Sequence, residues 1–256
     1  RGGEPLFRGY VASDFKGEYW RVSTIGSPDG VRRPITPSRQ KLAIRQEIRQ
    51  QLTVEVLDAG ILHALPAYGD GRLTPQADDP GKVLQGKASS ALYREKPVSN
   101  GHETKYVVYS VRPDRNKALP FPLATLENDL SPKDRDFYLQ LPNALVDLRK
   151  YAKQAVMNRD GSLPDQVEIA KRLLANLAQP KFRYKQPEPG LPRIDDLEEF
   201  LLIGKDGDCK TFNSALALML RELKIPARMI LGFKGGKVEN GEFVVRGMGH
   251  AWVEAY

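Results

Sequence analysis

The stretch "GDCKTFNSALALMLRELKIPARMILGF", residues 207–233, decides the fold and contains the single cysteine of a 256-residue chain. Gly204 and Gly207 precede Cys209 and are expected to let the backbone turn tightly and to leave room for a substrate. The residues from 212 to 223 are apolar on nearly all sides. This pattern predicts a helix that is buried in the centre of its domain. A cysteine at such a helix start is placed where first-turn N–H groups and the helix dipole favour the thiolate, the nucleophilic form.

The sequence after this stretch predicts strands. The segments "ARMILGF" and "EFVVR", joined through "KGGKVENG", indicate an antiparallel hairpin, and "HAWVEAY" indicates a further strand that begins at His250. Nucleophilic catalysis by a thiol needs a base or cationic partner, and a histidine is the usual choice. His250 is therefore the candidate partner of Cys209. On residue type alone, an inert core cysteine and a structural histidine stay open as alternatives.

Two stretches before Cys209 have the period of helices. Their apolar residues are Leu145, Leu148, Ala152 and Ala155 in the first and Val167, Ala170, Leu173, Leu174 and Leu177 in the second. Ser162, followed by Asp165 three residues later, predicts the N-cap of the second helix. The segment "DDLEEFLL" predicts a third, short helix, so this part of the chain is expected to be α+β.

The N-terminal part of the chain has the signals of strands. Alternating segments from about residue 7 to residue 111 are separated by clusters of Gly, Pro, Asp and Ser. We therefore expect a β-rich domain at 1–115, a proline-containing linker at 116–140 and a second domain at 141–256. The segment reads as excised or processed from a longer protein, and its C-terminal domain is expected to be truncated.

Composition excludes several classes of protein. The net charge of +7 is spread along the chain, with +4 in residues 1–140 (21 basic, 17 acidic) and +3 in residues 141–256 (18 basic, 15 acidic), so nucleic acid is not an expected partner. The longest apolar run, "ALALML", is far shorter than the roughly 18 residues of a membrane span. One cysteine and three widely separated histidines argue against structural zinc and an internal disulfide. Asp195, Asp196, Glu198 and Glu199 could form a calcium site, but acidic residues at a helix start usually compensate the helix dipole. We therefore expect no metal and no cofactor.

The motifs around Cys209 and His250 resemble the transglutaminase-like superfamily. Its core has a Gly-x-Cys helix, an "R-x-L-x-I-P-A-R" exit and a His-Ala-Trp strand. The matching residues are Gly207, Cys209, Phe212, Ala215, Arg221, Leu223, Ile225, Pro226, Ala227, Arg228, Gly232, His250, Ala251, Trp252 and Glu254. The opening "RGYVASDFKGEYW" and "FYLQLP" resemble, more loosely, the region before this core in membrane-anchored bacterial members. Lys210, Thr211 and Lys224 depart from the usual pattern; at Lys224 a glycine is usual.

The resemblance implies a papain-like, transglutaminase-type core behind the β-rich domain. It implies that Cys209 is the nucleophile and His250 the general base and acid, with Asp208 and Trp252 as supporting residues. The family's third catalytic residue, an aspartate on the strand after the histidine strand, is expected beyond Tyr256. The backbone N–H of Cys209 would help to stabilise the oxyanion.

The implied activity is acyl transfer from the side-chain amide of a protein or peptide glutamine to an amine or to water. Two alternatives remain: a non-catalytic protein-binding scaffold, and a cysteine peptidase acting on cell-envelope peptides. The resemblance also implies an extracytoplasmic location, periplasmic or at the cell surface, as part of a membrane-anchored parent protein.

Overall fold

The computed structural model describes most of the C-terminal half of the chain and selected strands of the N-terminal half. The described residues are 6–16, 19–22, 32–34, 47–55, 61–62, 73–75, 83–86, 91–94, 103–111, 130–186, 189–204, 206–247 and 249–256. The chain divides into two compact units, each built from three stretches. The first comprises Arg1–Tyr10, Ile25–Leu126 and Leu231–Gly249, and the second comprises Val11–Thr24, Glu127–Ile230 and His250–Tyr256.

The described helices all lie after residue 130. They are α1 (Pro132–Tyr138), α2 (Val146–Val156), α3 (Gln166–Leu177), α4 (Ile194–Glu199), a π-helical turn (Phe200–Gly204) and α5 (Cys209–Glu222). None of the helices in the described ranges is long and apolar enough to cross a membrane. Helix α1 lies within the range 116–140 that was predicted to be a linker, most of which falls outside the described residues. The domain boundary therefore stays a prediction.

Within the described residues, nine strands precede the helices and four follow them. They are β1 (Leu6–Lys16), β2 (Tyr19–Val22), β3 (Arg32–Pro34), β4 (Glu47–Glu55), β5 (Ile61–Leu62), β6 (Leu73–Pro75), β7 (Val83–Gly86), β8 (Leu92–Arg94), β9 (Glu103–Val111), β10 (Ala227–Lys234), β11 (Lys237–Glu239), β12 (Glu242–Val244) and β13 (Gly249–Ala255). The sheets have the orders β13-β10-β1-β2, β3-β7-β8-β5, β4-β9-β6 and β11-β12. This segregation of strands and helices confirms the predicted α+β class.

Helix α3 begins and packs differently from its prediction. Its N-cap is Asp165, whose carboxylate accepts from the Glu168 N–H at 2.9 Å. Ser162 is not the cap, because its hydroxyl donates to Asp160 in the preceding turn at 2.7 Å. The buried stripe is Ile169, Leu173 and Leu177, at a spacing of four, whereas Val167 is 45% and Leu174 55% exposed. The prediction was right for Leu173 and Leu177. It omitted Ile169 and wrongly included Val167 and Leu174, which lie on another face of the helix.

The predicted hairpin between "ARMILGF" and "EFVVR" is also wrong. The hairpin that forms joins β11 to β12, with Glu239 opposite Glu242. Between them Asn240 and Gly241 have φ of 51° and 83°, the left-handed pair that a two-residue hairpin turn requires. Strand β10 instead lies between β13 and β1. The short Asn-Gly turn closes the hairpin locally before the chain can return to β10.

Helix α5 is buried along most of its length, as predicted. Arg221 near its end has no exposed surface, and its guanidinium is satisfied by backbone carbonyls. The donors and acceptors are Nε to Ala227 O at 2.8 Å, Nη1 to Gln140 O at 3.0 Å and Nη2 to Ser13 O at 2.7 Å. The same group stands 4.9 Å from the ring centre of Trp20. Arg221 therefore joins β1, β2, β10 and the segment after α1 to the central helix.

The chain leaves α5 through a Schellman turn. The N–H of Ile225 donates to Leu220 O at 2.9 Å and that of Lys224 to Arg221 O at 3.1 Å. Lys224 consequently has a φ of 66°, a conformation that glycine adopts without strain and other residues rarely adopt. This turn accounts for the glycine that the family resemblance leads one to expect at this position.

Candidate active site around Cys209

Asp208 fixes the start of α5. Its Oδ1 accepts from the Thr211 N–H at 2.9 Å and from the Thr211 hydroxyl at 3.0 Å, so it is the N-cap of the helix. Cys209 is then the first helical residue, a free thiol that is 5% exposed. Its sulfur therefore lies at the positive end of a 14-residue helix, where first-turn N–H groups lack intrahelical partners.

Gly207 is needed here for packing. A β-carbon at this position would lie 2.8 Å from the ring of Phe200 and 3.1 Å from the Thr211 methyl group. The expectation that this glycine leaves room for a substrate is wrong, because the Phe200 ring already occupies the space. Gly204, in contrast, has a φ of 75° and does provide the predicted tight turn.

An extended segment runs beside Gly207 and brings a tyrosine to the thiol. Gly207 N–H donates to Arg183 O at 2.9 Å, and Lys185 N–H donates to Gly207 O at 3.0 Å, which makes a parallel bridge between Tyr184 and Gly207. The Tyr184 hydroxyl lies near enough to the Cys209 side chain and backbone N–H for both to shift its pKa. Tyr184 is therefore a polar neighbour of the sulfur.

The surroundings of Tyr184 keep its hydroxyl protonated. Its pKa is raised above the ordinary value, first by burial, then by the charge and hydrogen bond of the Cys209 side chain, and then by the charge of Asp208. Tyr184 as a whole is 59% exposed, so only part of its side chain is buried. The raised pKa keeps the phenol protonated at neutral pH, so it is available as a hydrogen-bond donor near the thiol.

Sequence reasoning missed Tyr184. The available signal was the alternation in "FRYK", which puts Phe182 and Tyr184 on one side of an extended segment. Both rings approach Phe212, one turn from the cysteine, with centroid distances of 6.4 and 6.5 Å. Nothing in the local sequence marked one of these two aromatic residues as a neighbour of the thiol.

The predicted partner, His250, lies at the start of β13, and both it and Trp252 are partly buried. Strand β13 is tied to the first turn of α5 through Asn213. The Asn213 Nδ2 donates to Cys209 O at 2.7 Å and to Ala251 O at 2.9 Å. The structure thus joins the element that carries Cys209 to the residue next to His250. The pairing of thiol and imidazole stays a prediction.

The other end of β13 is anchored by a buried arginine. Arg228 donates to Glu254 Oε2 from Nε at 3.2 Å and from Nη2 at 2.9 Å, and to the Tyr138 hydroxyl from Nη1 at 3.1 Å. Its guanidinium also faces the rings of Tyr138 and Tyr256. The N–H of Tyr256 donates to Pro226 O at 2.9 Å. These contacts hold the strand along its length.

A pocket of about 340 Å³ lies beside the start of α5 and reaches Asp208, Lys210 and Thr211. Its charged lining residues are Lys185, Asp196, Glu199, Asp206, Asp208 and Lys210. Arg183, outside this lining, pairs with Asp206 at 2.8 Å, and Lys210 pairs with Asp208 at 3.4 Å. The carboxylates are therefore partly neutralised within the protein, and the lining charge does not assign a ligand to the pocket.

Two of the four acidic residues of the possible calcium site, Glu198 and Asp196, cap helices. Glu198 accepts from the N–H groups of Asp147 and Leu148 at 3.2 and 3.1 Å, and so caps α2, whose own N-cap residue makes no side-chain bond. Asp196 accepts from the Arg193 N–H at 2.9 Å at the start of α4. Within the described ranges, no group of three or more His, Cys, Asp or Glu side chains could hold a metal ion.

The part of the chain that contains Cys209 and His250 is similar to a known protein family. The family profile of the transglutaminase-like superfamily matches residues 152–256, the range that contains α3 to α5 and β10 to β13.

Two curated bacterial proteins are similar over about half of this chain. The uncharacterized protein YebA of Bacillus subtilis strain 168 is 31% identical over 131 residues, which cover 47% of this chain and 17% of YebA. A protein-glutamine gamma-glutamyltransferase of Pseudomonas aeruginosa PAO1 is 32% identical over 140 residues, covering 52% of this chain and 20% of that protein. The matched segment thus spans about a fifth of the length of these relatives.

Two crystal structures of the periplasmic domain of TgpA from Pseudomonas aeruginosa have a similar fold. The one bound to ethylmercury has a TM-score of 0.67 at 24% identity and covers 98% of this chain and 79% of that domain. The other has a TM-score of 0.62 at 22% identity, with coverages of 100% and 84%. This similarity establishes that the two chains share an overall fold.

Proposed function

We propose that this chain, which belongs through residues 152–256 to the transglutaminase-like superfamily, catalyses cysteine-dependent acyl transfer from glutamine side chains. The observation that carries the proposal is the position of the single cysteine. Cys209 is the first residue of a capped, buried helix, and the protonated Tyr184 hydroxyl lies near its side chain. The Asn213 side-chain amide links the Cys209 carbonyl to Ala251, the residue next to His250.

In the proposed reaction, His250 takes the thiol proton and the Cys209 sulfur attacks the carbonyl carbon of the glutamine amide. The tetrahedral intermediate collapses when its C–N bond breaks, and the imidazolium donates its proton so that ammonia leaves. A thioester remains on Cys209. An amine or water, deprotonated by His250, then attacks this thioester and releases the thiol, which regenerates the enzyme.

The negative oxygen of the tetrahedral intermediate needs donors beside the sulfur. The Cys209 backbone N–H and the Tyr184 hydroxyl are the candidate donors, since both lie close to the thiol and the two groups shift one another electrostatically. In this proposal a substrate carbonyl that reaches the sulfur accepts from both groups. We assign Tyr184 this role in addition to the residues inferred from the sequence.

Asp208 and Trp252 act as supporting residues in this scheme. Asp208 caps the helix and so fixes Cys209 as its first residue. Trp252, which lies two residues after His250 on β13 and is partly buried, limits the access of water to the imidazole.

The names of the similar proteins support the substrate class and the location. One curated relative is a protein-glutamine gamma-glutamyltransferase, and the crystallised TgpA domain is periplasmic. We therefore propose protein or peptide glutamine as the acyl donor and an extracytoplasmic site of action within a membrane-anchored parent protein.

A protein-binding scaffold is the second candidate, and the 5% exposure of Cys209 favours it, because a buried structural thiol is inert. Incubation with a glutamine-containing peptide and a labelled primary amine separates these functions. The enzyme releases ammonia and incorporates the amine, and Cys209→Ala abolishes both. Release of peptide fragments without ammonia would indicate a peptidase, and no turnover with the wild-type chain would favour the scaffold.

A further inference from the structure

Asn213 is a partly buried polar residue on a helix whose centre is mostly apolar. It lies one turn after Cys209, where helical residues four apart share a face. Its neighbours Ser214, Ala215, Ala217 and Leu218 are fully buried. An apolar residue would be expected here, yet both protons of the Asn213 amide are used, at 2.7 Å to Cys209 O and at 2.9 Å to Ala251 O.

The bond to Ala251 connects two elements that come from distant parts of the sequence. In a regular helix Cys209 O already accepts the backbone N–H of residue 213, so the side-chain bond to it is not needed to form α5. The bond to Ala251, in contrast, holds β13 against the first turn of α5. Ala251 itself has no exposed surface, so this carbonyl depends on a partner within the protein.

The Asn213 bond lies beside His250 on β13. The pairing of β13 with β10 sets the register of the strand, and so the face on which each side chain lies, whereas the Asn213 bond sets how close this end of the strand lies to α5. Arg228 and Pro226 hold β13 at Glu254 and Tyr256, four and six residues after His250. Asn213 holds the strand at the residue adjacent to His250, where a small displacement moves the imidazole most.

We propose that Asn213 is a positioning residue that sets the distance between the Cys209 thiol and the His250 imidazole. The inference rests on the proposed function, because it presumes that this pair carries the chemistry. It adds a residue to which neither the motif nor the family resemblance assigned a role.

Alkylation by iodoacetamide tests this directly, since Cys209 is the only thiol and its rate reports the thiolate. The rate at about pH 6.5 is divided by the rate at about pH 9 for wild type, His250→Ala, Asn213→Leu and the double variant. Asn176→Leu is the matched control. This control makes the same change at a partly buried asparagine of α3, whose Oδ1 accepts from the Tyr151 hydroxyl at 2.7 Å.

A paired thiol keeps a large part of its rate at the lower pH, whereas a free cysteine, which titrates near pH 8.5, falls to about a hundredth. We expect Asn213→Leu to lower the ratio at least about tenfold towards that limit, and Asn176→Leu to leave it unchanged. In the double variant His250→Ala should add little, because the two changes remove the same pair. If Asn213→Leu does not fold, as judged by circular dichroism, Asn213→Ala replaces it.

Two results overturn the inference in distinguishable ways. If His250→Ala lowers the ratio but a folded Asn213 variant behaves as wild type, the positioning role is wrong and the proposed function stands. If wild type itself already shows the profile of a free cysteine, the thiol–imidazole pair is absent and the proposed function fails together with the inference.

Discussion

Replacing Tyr184 by phenylalanine tests the proposed oxyanion site. The change removes one hydroxyl and leaves the ring that approaches Phe212 at 6.5 Å. Loss of one oxyanion donor typically costs about a hundredfold to a thousandfold in kcat. Since Tyr184 is 59% exposed, water can partly replace the hydroxyl, and we expect about a hundredfold, or ~2.7 kcal/mol.

The assay is ammonia release from a glutamine peptide under saturating conditions, so that kcat is separated from KM. We expect kcat to fall while KM changes little, because the hydroxyl acts on the intermediate more than on the bound amide. Tyr151→Phe is the matched control. It also removes a hydroxyl from the same unit, one that donates to Asn176 Oδ1 at 2.7 Å and accepts from Lys181 Nζ at 3.0 Å, and it should keep wild-type kcat.

The pH dependence adds a second signature. The pKa of Tyr184 lies above 10.0, so the wild type keeps its donor at neutral pH and loses it only at higher pH. The advantage of wild type over Tyr184→Phe should therefore shrink as the pH rises past 10.0. Because the folded pKa is the higher one, stability from this group is present below 10.0 and is lost as pH rises through the folded pKa. Equal kcat values at neutral pH in the two proteins would refute the oxyanion role of Tyr184.

Three further predictions concern stability. Arg221→Ala leaves three carbonyls without their donor and should lower the free energy of unfolding by about 3–5 kcal/mol, measured by urea denaturation; a loss below about 1 kcal/mol would contradict the central role of this residue. Lys224→Gly relieves the φ of 66° and should stabilise by about 0.5–1 kcal/mol, raising Tm by about 1–4 °C in calorimetry, whereas an unchanged or lower Tm would contradict the strain. The pKa of Asp160 is lowered below 3.8, chiefly by the hydrogen bond from the Ser162 hydroxyl and then by that from its N–H, so the contribution of Asp160 to stability is present above pH 3.8 and is lost as pH falls. Ser162→Gly removes the hydroxyl and keeps the N–H, so carboxyl titration by NMR should give a pKa for Asp160 above that of wild type, and an unchanged pKa would contradict this assignment.

The central helix and the cysteine at its start could be predicted from the sequence because local patterns determine both. An apolar run after a glycine-rich turn specifies a buried helix, and Asp208 is a preferred N-cap residue. The strand that starts near His250 was predicted for the same reason, by its alternation. These features depend on neighbours in the sequence and require no knowledge of distant contacts.

The wrong predictions arose where long-range or turn geometry decides. The hairpin partner of β12 depended on whether the chain turned at Asn240-Gly241 or further away, and alternation fits both. The buried face of α3 depended on which side meets the core, and the apolar residues Val167 and Leu174 blurred the stripe. Neither question can be settled by propensity.

The contacts of Tyr184 and Asn213 could not be predicted because they join parts of the chain that are distant in sequence. Tyr184 precedes Cys209 by 25 positions, and Asn213 precedes Ala251 by 38. A tyrosine in an extended segment and an asparagine in a helix both have ordinary structural explanations. Only the folded geometry shows that one contacts the thiol and the other the strand of His250.

The proposed acyl-transfer mechanism requires a covalent acyl-enzyme at Cys209. Mass spectrometry after rapid acid quenching of wild type with a glutamine peptide measures this intermediate, with Cys209→Ser and His250→Ala as comparisons. We predict a wild-type adduct equal to the peptide mass less one ammonia, localised to the Cys209 peptide, removed by added amine and greatly reduced in His250→Ala. A wild-type protein that forms no adduct with any glutamine peptide, and whose thiol alkylates as an inert buried cysteine, would contradict the proposed mechanism.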